Sequence, residues 1–382
     1  MTMPKPANRC AIPLMLSAFL LTGCSDGSDS QPGLPIDDIA MNQVQYLGTH
    51  NSYHIAPRDG LFELLLLFIP DIAPTLDYTH IPLQEQFDTQ GIRQLELDIF
   101  DDPEGGLYAN RPALTNLGED PASGIPELDE PGLKVLHVQD VDFETTCYTF
   151  VACLTEIKSW SDAHPGHLPI MVLVEAKDEV IPDPGVGFAI PLQFGADALN
   201  RIDEEIRSVF PPEQLLVPDD VRGDFATLEA AILTKGWPRL SEARGRIMFA
   251  LDNGGDKRDT YIVGHTSLEG RVLFTDSAPG SPEAAFMKRN DPLDNPGEIE
   301  SLVEQGYMVR TRADSDTVQA RSGDTTQRDA ALASGAHFIS TDYPVPDPRF
   351  SDYQVRLPGD GIARCNPISP GNCDPAFLEE TM

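Results

Sequence analysis

Basic residues are scarce: the 382-residue chain has 27 Lys and Arg against 61 Asp and Glu, a formal charge of −34. No stretch gathers these few cations into a patch, which argues against nucleic acid as a partner, since a polyanion is held mainly through Lys and Arg contacts to phosphate. The same charge repels anionic lipid headgroups, so a multivalent cation becomes the natural intermediary between this protein and a phosphate. Much of the acid simply serves solubility. Cysteine is also sparse, with six residues and no CxxC. Neither close pair, Cys147 with Cys153 or Cys365 with Cys373, has zinc-knuckle spacing. Each would close a short loop as a disulfide in an oxidising compartment, a zinc site being the rival reading. Beyond the N-terminus no apolar run is long enough to span a bilayer. Internal repeats are absent, and Pro and Gly are spread through the chain rather than marking a second domain. One large domain is expected.

The N-terminus carries an address. Lys5 and Arg9 precede an apolar stretch, Cys10 to Leu21, that ends in Leu21-Thr22-Gly23-Cys24. This pattern reads as a bacterial secretory signal, and its small residues match a lipoprotein processing site at which Cys24 becomes the lipidated first residue. An ordinary signal peptide is the alternative. Ser25, not Asp, follows the cysteine, which points to an outer membrane or the cell surface, and Ser25 to Asp37 reads as a tether. The expected organisation is a lipoprotein signal at 1–23, a tether at 24–40, a catalytic barrel at 41–345 and a packed C-terminal tail at 346–382.

Eight apolar, β-branched runs follow: Val44 to Thr49, Gln94 to Phe100, Leu133 to Val138, Ile170 to Glu175, Arg246 to Leu251, Arg271 to Thr275, Met308 to Thr311 and His337 to Ser340. Helical spacing lies between several of them, at Ala196 to Phe210, Phe225 to Leu233, Glu298 to Gln305 and Thr326 to Ala333. Alternating strands and helices imply a parallel sheet, and eight units imply an α/β fold closed as a (β/α)8 TIM barrel. Some helices should be irregular or missing, because little helical pattern joins the fifth and sixth runs. Leu215 to Val217 reads as a further candidate strand, and an open doubly wound sheet is the alternative fold.

The chemistry-bearing residues fall where these runs end. His50 follows the first run, His137 closes the third, Glu96 and Asp98 lie two apart in LELD, and Glu175 ends the fourth. Residues two apart on a strand share a face. Two carboxylates aimed into one space repel unless a proton or cation lies between them. With Glu175 and the amide oxygen of Asn51, four hard oxygen donors could converge, a set suited to calcium and less well to magnesium.

The segments GTHNSYH, GIRQLELDIFDD, KVLHVQD and LPIMVLVEAKDE resemble the metal-site segments of the calcium-dependent phosphoinositide-specific phospholipase C family, in its secreted bacterial branch. VRTRADSDT, ALASGAHFISTDYP and the cysteine-bearing tail are similar to that branch too, so the resemblance spans nearly the whole mature chain. It implies that Asn51, Glu96, Asp98 and Glu175 bind calcium and that His50 and His137 are catalytic. It further implies cleavage of the phosphodiester between diacylglycerol and inositol by a neighbouring inositol hydroxyl, giving a cyclic phosphate that water later opens. Glu96 or Glu175 would take the hydroxyl proton, His137 would protonate the glycerol oxygen, and His50 would hold phosphate oxygens.

Several residues keep two readings. Lys177 meets phosphate or inositol, or is a surface lysine. Arg312 clamps the headgroup, or pairs with Asp314 or Asp342. Tyr343 stacks on inositol or packs in a loop. His54, His80, His164, His167, His265 and His337 read as structural or exposed. LFELLLLFIP, from Leu61 to Pro70, is a helix packed on the barrel or an apolar rim dipping into the substrate's membrane. Alternative functions are a phosphodiesterase on the same site acting on glycerophosphodiesters or other phospholipids, and a non-catalytic calcium- or lipid-binding lipoprotein. Retention of both histidines argues against the latter. A monomer, anchored through its lipid and acting on phospholipid, is the expected state.

Overall fold

The computed structural model describes residues 39–380 apart from Pro296, Asp360, Pro370, Asn372, Ala376 and Phe377. The expected signal, Cys24 and nearly all of the tether lie outside the described residues. The strands are β1 (Val44–Thr49), β2 (Gln94–Phe100), β3 (Lys134–Val135), β4 (Ile170–Ala176), β5 (Ile247–Leu251), β6 (Leu273–Thr275), β7 (Phe286–Lys288), β8 (Met308–Arg312), β9 (Phe338–Thr341) and β10 (Ala363–Cys365). β4 shows why they form: IMVLVEA is apolar almost throughout and buried but for Glu175, as a strand covered on both faces must be. Eight strands run β6-β5-β4-β2-β1-β9-β8-β7. All neighbours on this path are parallel. A parallel bridge from Asp276 to Phe286 links the end of β6 to β7, so the ring is nearly closed as a TIM barrel.

Two of the expected strands need correction. The run Leu133 to Val138 is not a barrel strand: only β3 pairs, antiparallel, with the end of β2. The eighth place belongs to β7, whose three residues Phe-Met-Lys are too short to show a period. Leu215 contributes a single parallel bridge to Ile247 rather than a strand. Expected helices reappear as Ala196–Val209, Leu228–Thr234, Glu298–Gln305 and Thr326–Ala333. No helix joins β6 to β7, and the segment between β5 and β6 does carry one, Gly255–Ile262.

The lumen is polar. A Cβ on Gly48 would lie 2.0 Å from Gln94 Oε1, so β1 needs glycine there to admit the Gln94 side chain. Ser340 Oγ donates to Gln94 Oε1. Arg310 Nε donates to Ser340 Oγ at 2.8 Å, and its other nitrogens reach Glu96 and Asn290. On the ring β2 and β8 are separated by β1 and β9, so these bonds cross the lumen. Buried polar groups are tolerated there because they satisfy one another. Leu95, Leu97 and Ile99, on the opposite face of β2, are buried in the main core.

The tail closes the base of the barrel. β10 pairs antiparallel with the start of β1, and Cys365 is bonded to Cys373. The Glu380 carboxylate accepts the Leu168 N–H at 2.7 Å and ion-pairs with Arg93, whose side chain is buried against Trp160. The second disulfide, Cys147–Cys153, fastens the loop before helix Phe150–Ala163 to that helix's first turn. Among the described residues no helix is long and apolar enough to cross a membrane.

Candidate active site

β2 aims Glu96 and Asp98 into the lumen near its carboxyl end. Asp98 is in register with Glu175 on the neighbouring β4, which sets a third carboxylate beside the pair. Oxygens of all three lie within 4.8 Å of one another. Lys177, two residues on, brings its ammonium to 3.4 Å from Asp98 and 3.6 Å from Glu175. Burial pushes the Glu96 carboxyl up to about 7, the charges of Asp252 and Glu175 adding to the rise and Arg310 opposing it. Asp98 is also raised, first by burial and then by the neighbouring carboxylates, against the pull of Lys177.

Asn51 follows β1 in a left-handed turn, φ 43°, a conformation that asparagine tolerates. Its carbonyl accepts the His54 N–H at 2.9 Å. The Asn51 amide nitrogen donates to the Tyr78 hydroxyl at 3.1 Å. That leaves Asn51 Oδ1 and Asp98 Oδ1 buried with no hydrogen-bond donor among the described residues, and Asp98 Oδ2 with only the Lys177 ammonium at 3.4 Å. Buried oxygens without donors, beside two more carboxylates, are costly in themselves and fit a hard divalent cation with oxygen ligands.

Each of the two singled-out histidines leans on a buried aspartate. His50 Nδ1 is 2.8 Å from Asp342 Oδ1, and its Nε2 is 3.9 Å from Glu96. His137 Nδ1 is 2.6 Å from Asp142 Oδ2. Their side chains are 18% and 19% exposed, so both present an edge to the mouth. Burial lowers the pKa of each. For His50 the Arg312 charge adds to that effect, while Asp342 opposes it in part. For His137 Asp142 opposes it. Burial would raise the two aspartates, but their partners win: His50 and Arg312 hold Asp342 low, and His54 and His137 hold Asp142 at about 2.

Arg312 contacts Asp342 at 3.3 Å and the Asp314 carbonyl at 3.0 Å, so it joins the site through the aspartate that supports His50. Tyr343 is buried edge-on against Phe350 and Tyr353 and packs in its loop. Reasoning from sequence missed the roles of five contributors. Asp142 and Asp342 support the histidines. Arg310, which alternation places on the same strand face as Arg312, pairs across the lumen with Glu96. His54, expected to be structural or exposed, is wholly buried, and its bond to Asp142 at 2.8 Å ties it to the support of His137. His80 also belongs here, donating from Nε2 to the His50 carbonyl at 2.9 Å. The remaining histidines lie elsewhere: His164 and His167 pack on Trp160, His265 bonds to the Glu269 carbonyl, and His337 bonds to the Asn42 carbonyl.

On comparison with known proteins, the family model for calcium-dependent phosphoinositide phospholipase C matches residues 39–367. A calcium-dependent phosphoinositol-specific phospholipase C from a Gram-negative Pseudomonas is similar in structure, with a TM-score of 0.50 and 16% identity over 86% of this chain and 96% of that one. A calcium-dependent phosphatidylinositol-specific phospholipase C from Streptomyces antibioticus gives a TM-score of 0.47 and 19% identity, over 80% of this chain and 95% of that one. No curated protein matches.

Proposed function

Since the chain belongs to the calcium-dependent phosphoinositide phospholipase C family, whose members are phosphodiesterases, we propose that it cleaves phosphatidylinositol at a membrane surface to diacylglycerol and an inositol cyclic phosphate or inositol phosphate. The observation that carries this reading is the meeting, at one barrel mouth, of two aspartate-supported histidines with a carboxylate cluster holding unpartnered buried oxygens. Asn51, Glu96, Asp98 and Glu175 would hold the calcium ion. When bound, calcium supplies a Lewis acid that lowers the pKa of an inositol hydroxyl and offsets charge building on the phosphate.

The residues divide the remaining work. Glu96 or Glu175 takes the proton of the attacking hydroxyl. His50, fixed through Nδ1 by Asp342, offers the Nε2–H of its protonated ring to the phosphate oxygens as charge grows on them. His137, fixed through Nδ1 by Asp142, gives a proton from Nε2 to the departing glycerol oxygen. Lys177 and Arg312 lie beside these groups and complement the phosphate.

Helix Asp59–Phe68 supports both halves of its sequence reading. Leu61 and Leu65 are buried in a satellite core with Leu114 and Phe143, while Leu67 and Phe68 are 74% and 72% exposed. The helix follows β1, on the side of the mouth, and this apolar edge suits contact with the membrane that carries the substrate. Lipidation at Cys24, export to the outer membrane or cell surface and a monomeric state complete the reading. It is tested by measuring diacylglycerol release from phosphatidylinositol, phosphatidylcholine and glycerophosphoinositol vesicles or solutions, with calcium and with chelator. Calcium-dependent release from phosphatidylinositol is expected, and equal rates in chelator would sink the proposal.

A further inference from the structure

His54 makes more bonds than a structural histidine needs. Its backbone is held on both sides, N–H to the Asn51 carbonyl and C=O to the His80 N–H, each at 2.9 Å. The ring stacks on Tyr78 with centroids 4.3 Å apart. Nδ1 is 3.0 Å from the Tyr78 carbonyl, and Nε2 is 3.0 and 2.8 Å from the two oxygens of Asp142. A carbonyl can only accept, and so can a carboxylate. Both nitrogens of His54 therefore act as donors, and two of the three hydrogen bonds lock the plane of the Asp142 carboxylate.

That carboxylate is the group His137 leans on. Asp142 is further held by paired backbone bonds with Val138, both 2.9 Å, which close the tight turn around Asp140 at φ 68°. With the plane of Asp142 fixed from the His54 side, Oδ2 points at His137 Nδ1 from 2.6 Å. The rings of His54 and His137 meet edge to face, 5.4 Å apart. By spacing alone these three side chains could ligate a metal, their donor atoms lying within 4.8 Å. Direct contacts of 2.6 and 2.8 Å between ring nitrogens and carboxylate leave no room for an ion between them.

We propose that His54 is a positioning residue for His137: through Asp142 it sets the ring angle and keeps the His137 proton on Nδ1 in the neutral form, so that Nε2 is the atom that takes up a second proton and, from the imidazolium, delivers it to the leaving oxygen. The inference rests on the role given above to His137. A buried second donor on the aspartate matters because an aspartate held from one side only can rock, and a rocking acceptor lets the imidazole adopt the other tautomer. His54 touches no reacting atom.

The test reads the tautomer directly. In the full chain labelled with 15N-histidine, long-range proton–nitrogen correlation above the His137 pKa should show His137 with Nδ1 protonated and Nε2 bare. A His137 proton on Nε2 in the wild-type protein would overturn the proposal. In His54→Phe the Nε2–H form of His137 should appear, and kcat on phosphatidylinositol vesicles should fall about a hundredfold with KM nearly unchanged. His54→Gln, which keeps one donor for Asp142, should recover part of the loss. A His54→Phe protein with wild-type kcat and tautomer would refute the idea. Should His137→Ala stay active, the role of His137 fails instead, whatever the tautomer of the wild type.

Discussion

Glu96→Gln should flatten a pH dependence of stability that the three-carboxylate cluster builds into the metal-free protein. The Glu96 carboxyl stands at about 7 against an ordinary 4.5, chiefly through burial. A raised carboxyl pKa means that the folded chain keeps a proton the unfolded chain has released. The destabilisation is absent below 4.5, grows as pH rises from 4.5 to 7, and is complete above that. At about 1.4 kcal/mol per pH unit, the whole effect is about 3 kcal/mol. Asp98 acts in the same direction. His50 and His137, whose pKa values burial lowers, give a slope of opposite sign that is common to both proteins and cancels in the difference. Urea unfolding at pH 4.5, 6 and 8 in chelator should show the wild type losing about 3 kcal/mol more than Glu96→Gln. Saturating calcium should restore the wild type at pH 8, because a ligand bound only by the folded state stabilises it. Parallel pH curves for the two proteins in chelator would refute the reasoning, and so would indifference of the wild type to calcium.

Three further outcomes follow from other parts of the molecule. His137→Ala should lower kcat by about 10² to 10⁴ while calcium affinity, read by calorimetry, stays nearly unchanged; loss of calcium binding would show that the division of roles is wrong. Phe68→Asp, at an exposed apolar edge, should weaken sedimentation with phosphatidylinositol vesicles and leave hydrolysis of a soluble inositol phosphodiester intact. Glu380→Ala should cost about 3 kcal/mol, seen as a lower Tm, because it strands a buried guanidinium; initial rates below the transition should not change, since that ion pair closes the base opposite the site.

Short apolar runs made the barrel legible. β1 and β2 occupy the residues that their hydrophobic pattern predicts, and β4 differs by one residue. Alternation in QLELDIF put Glu96 and Asp98 on one face before any contact was known, because side-chain direction in a strand is a local property. β7 was invisible for the same reason: three residues carry no period. The run around His137 had a strand's composition, yet the ring is filled by β4 next to β2, and only competition among all segments for that place decides which one pairs. His137 reaches the mouth from just beyond the short antiparallel β3 instead of from the end of a barrel strand.

The sequence by itself determined the fold class, the two disulfide pairs and which residues have the chemistry for a cation and for proton transfer, since residue type, spacing and period are written along the chain. Tertiary structure alone decided what each of those residues leans on. Asp142 and Asp342 support His137 and His50 across 5 and 292 positions, Arg310 reaches Glu96 across 214, and His54 reaches Asp142 across 88. A hydrogen bond depends on distance and angle in space, and those are set only when the lumen and the loops at its mouth have closed.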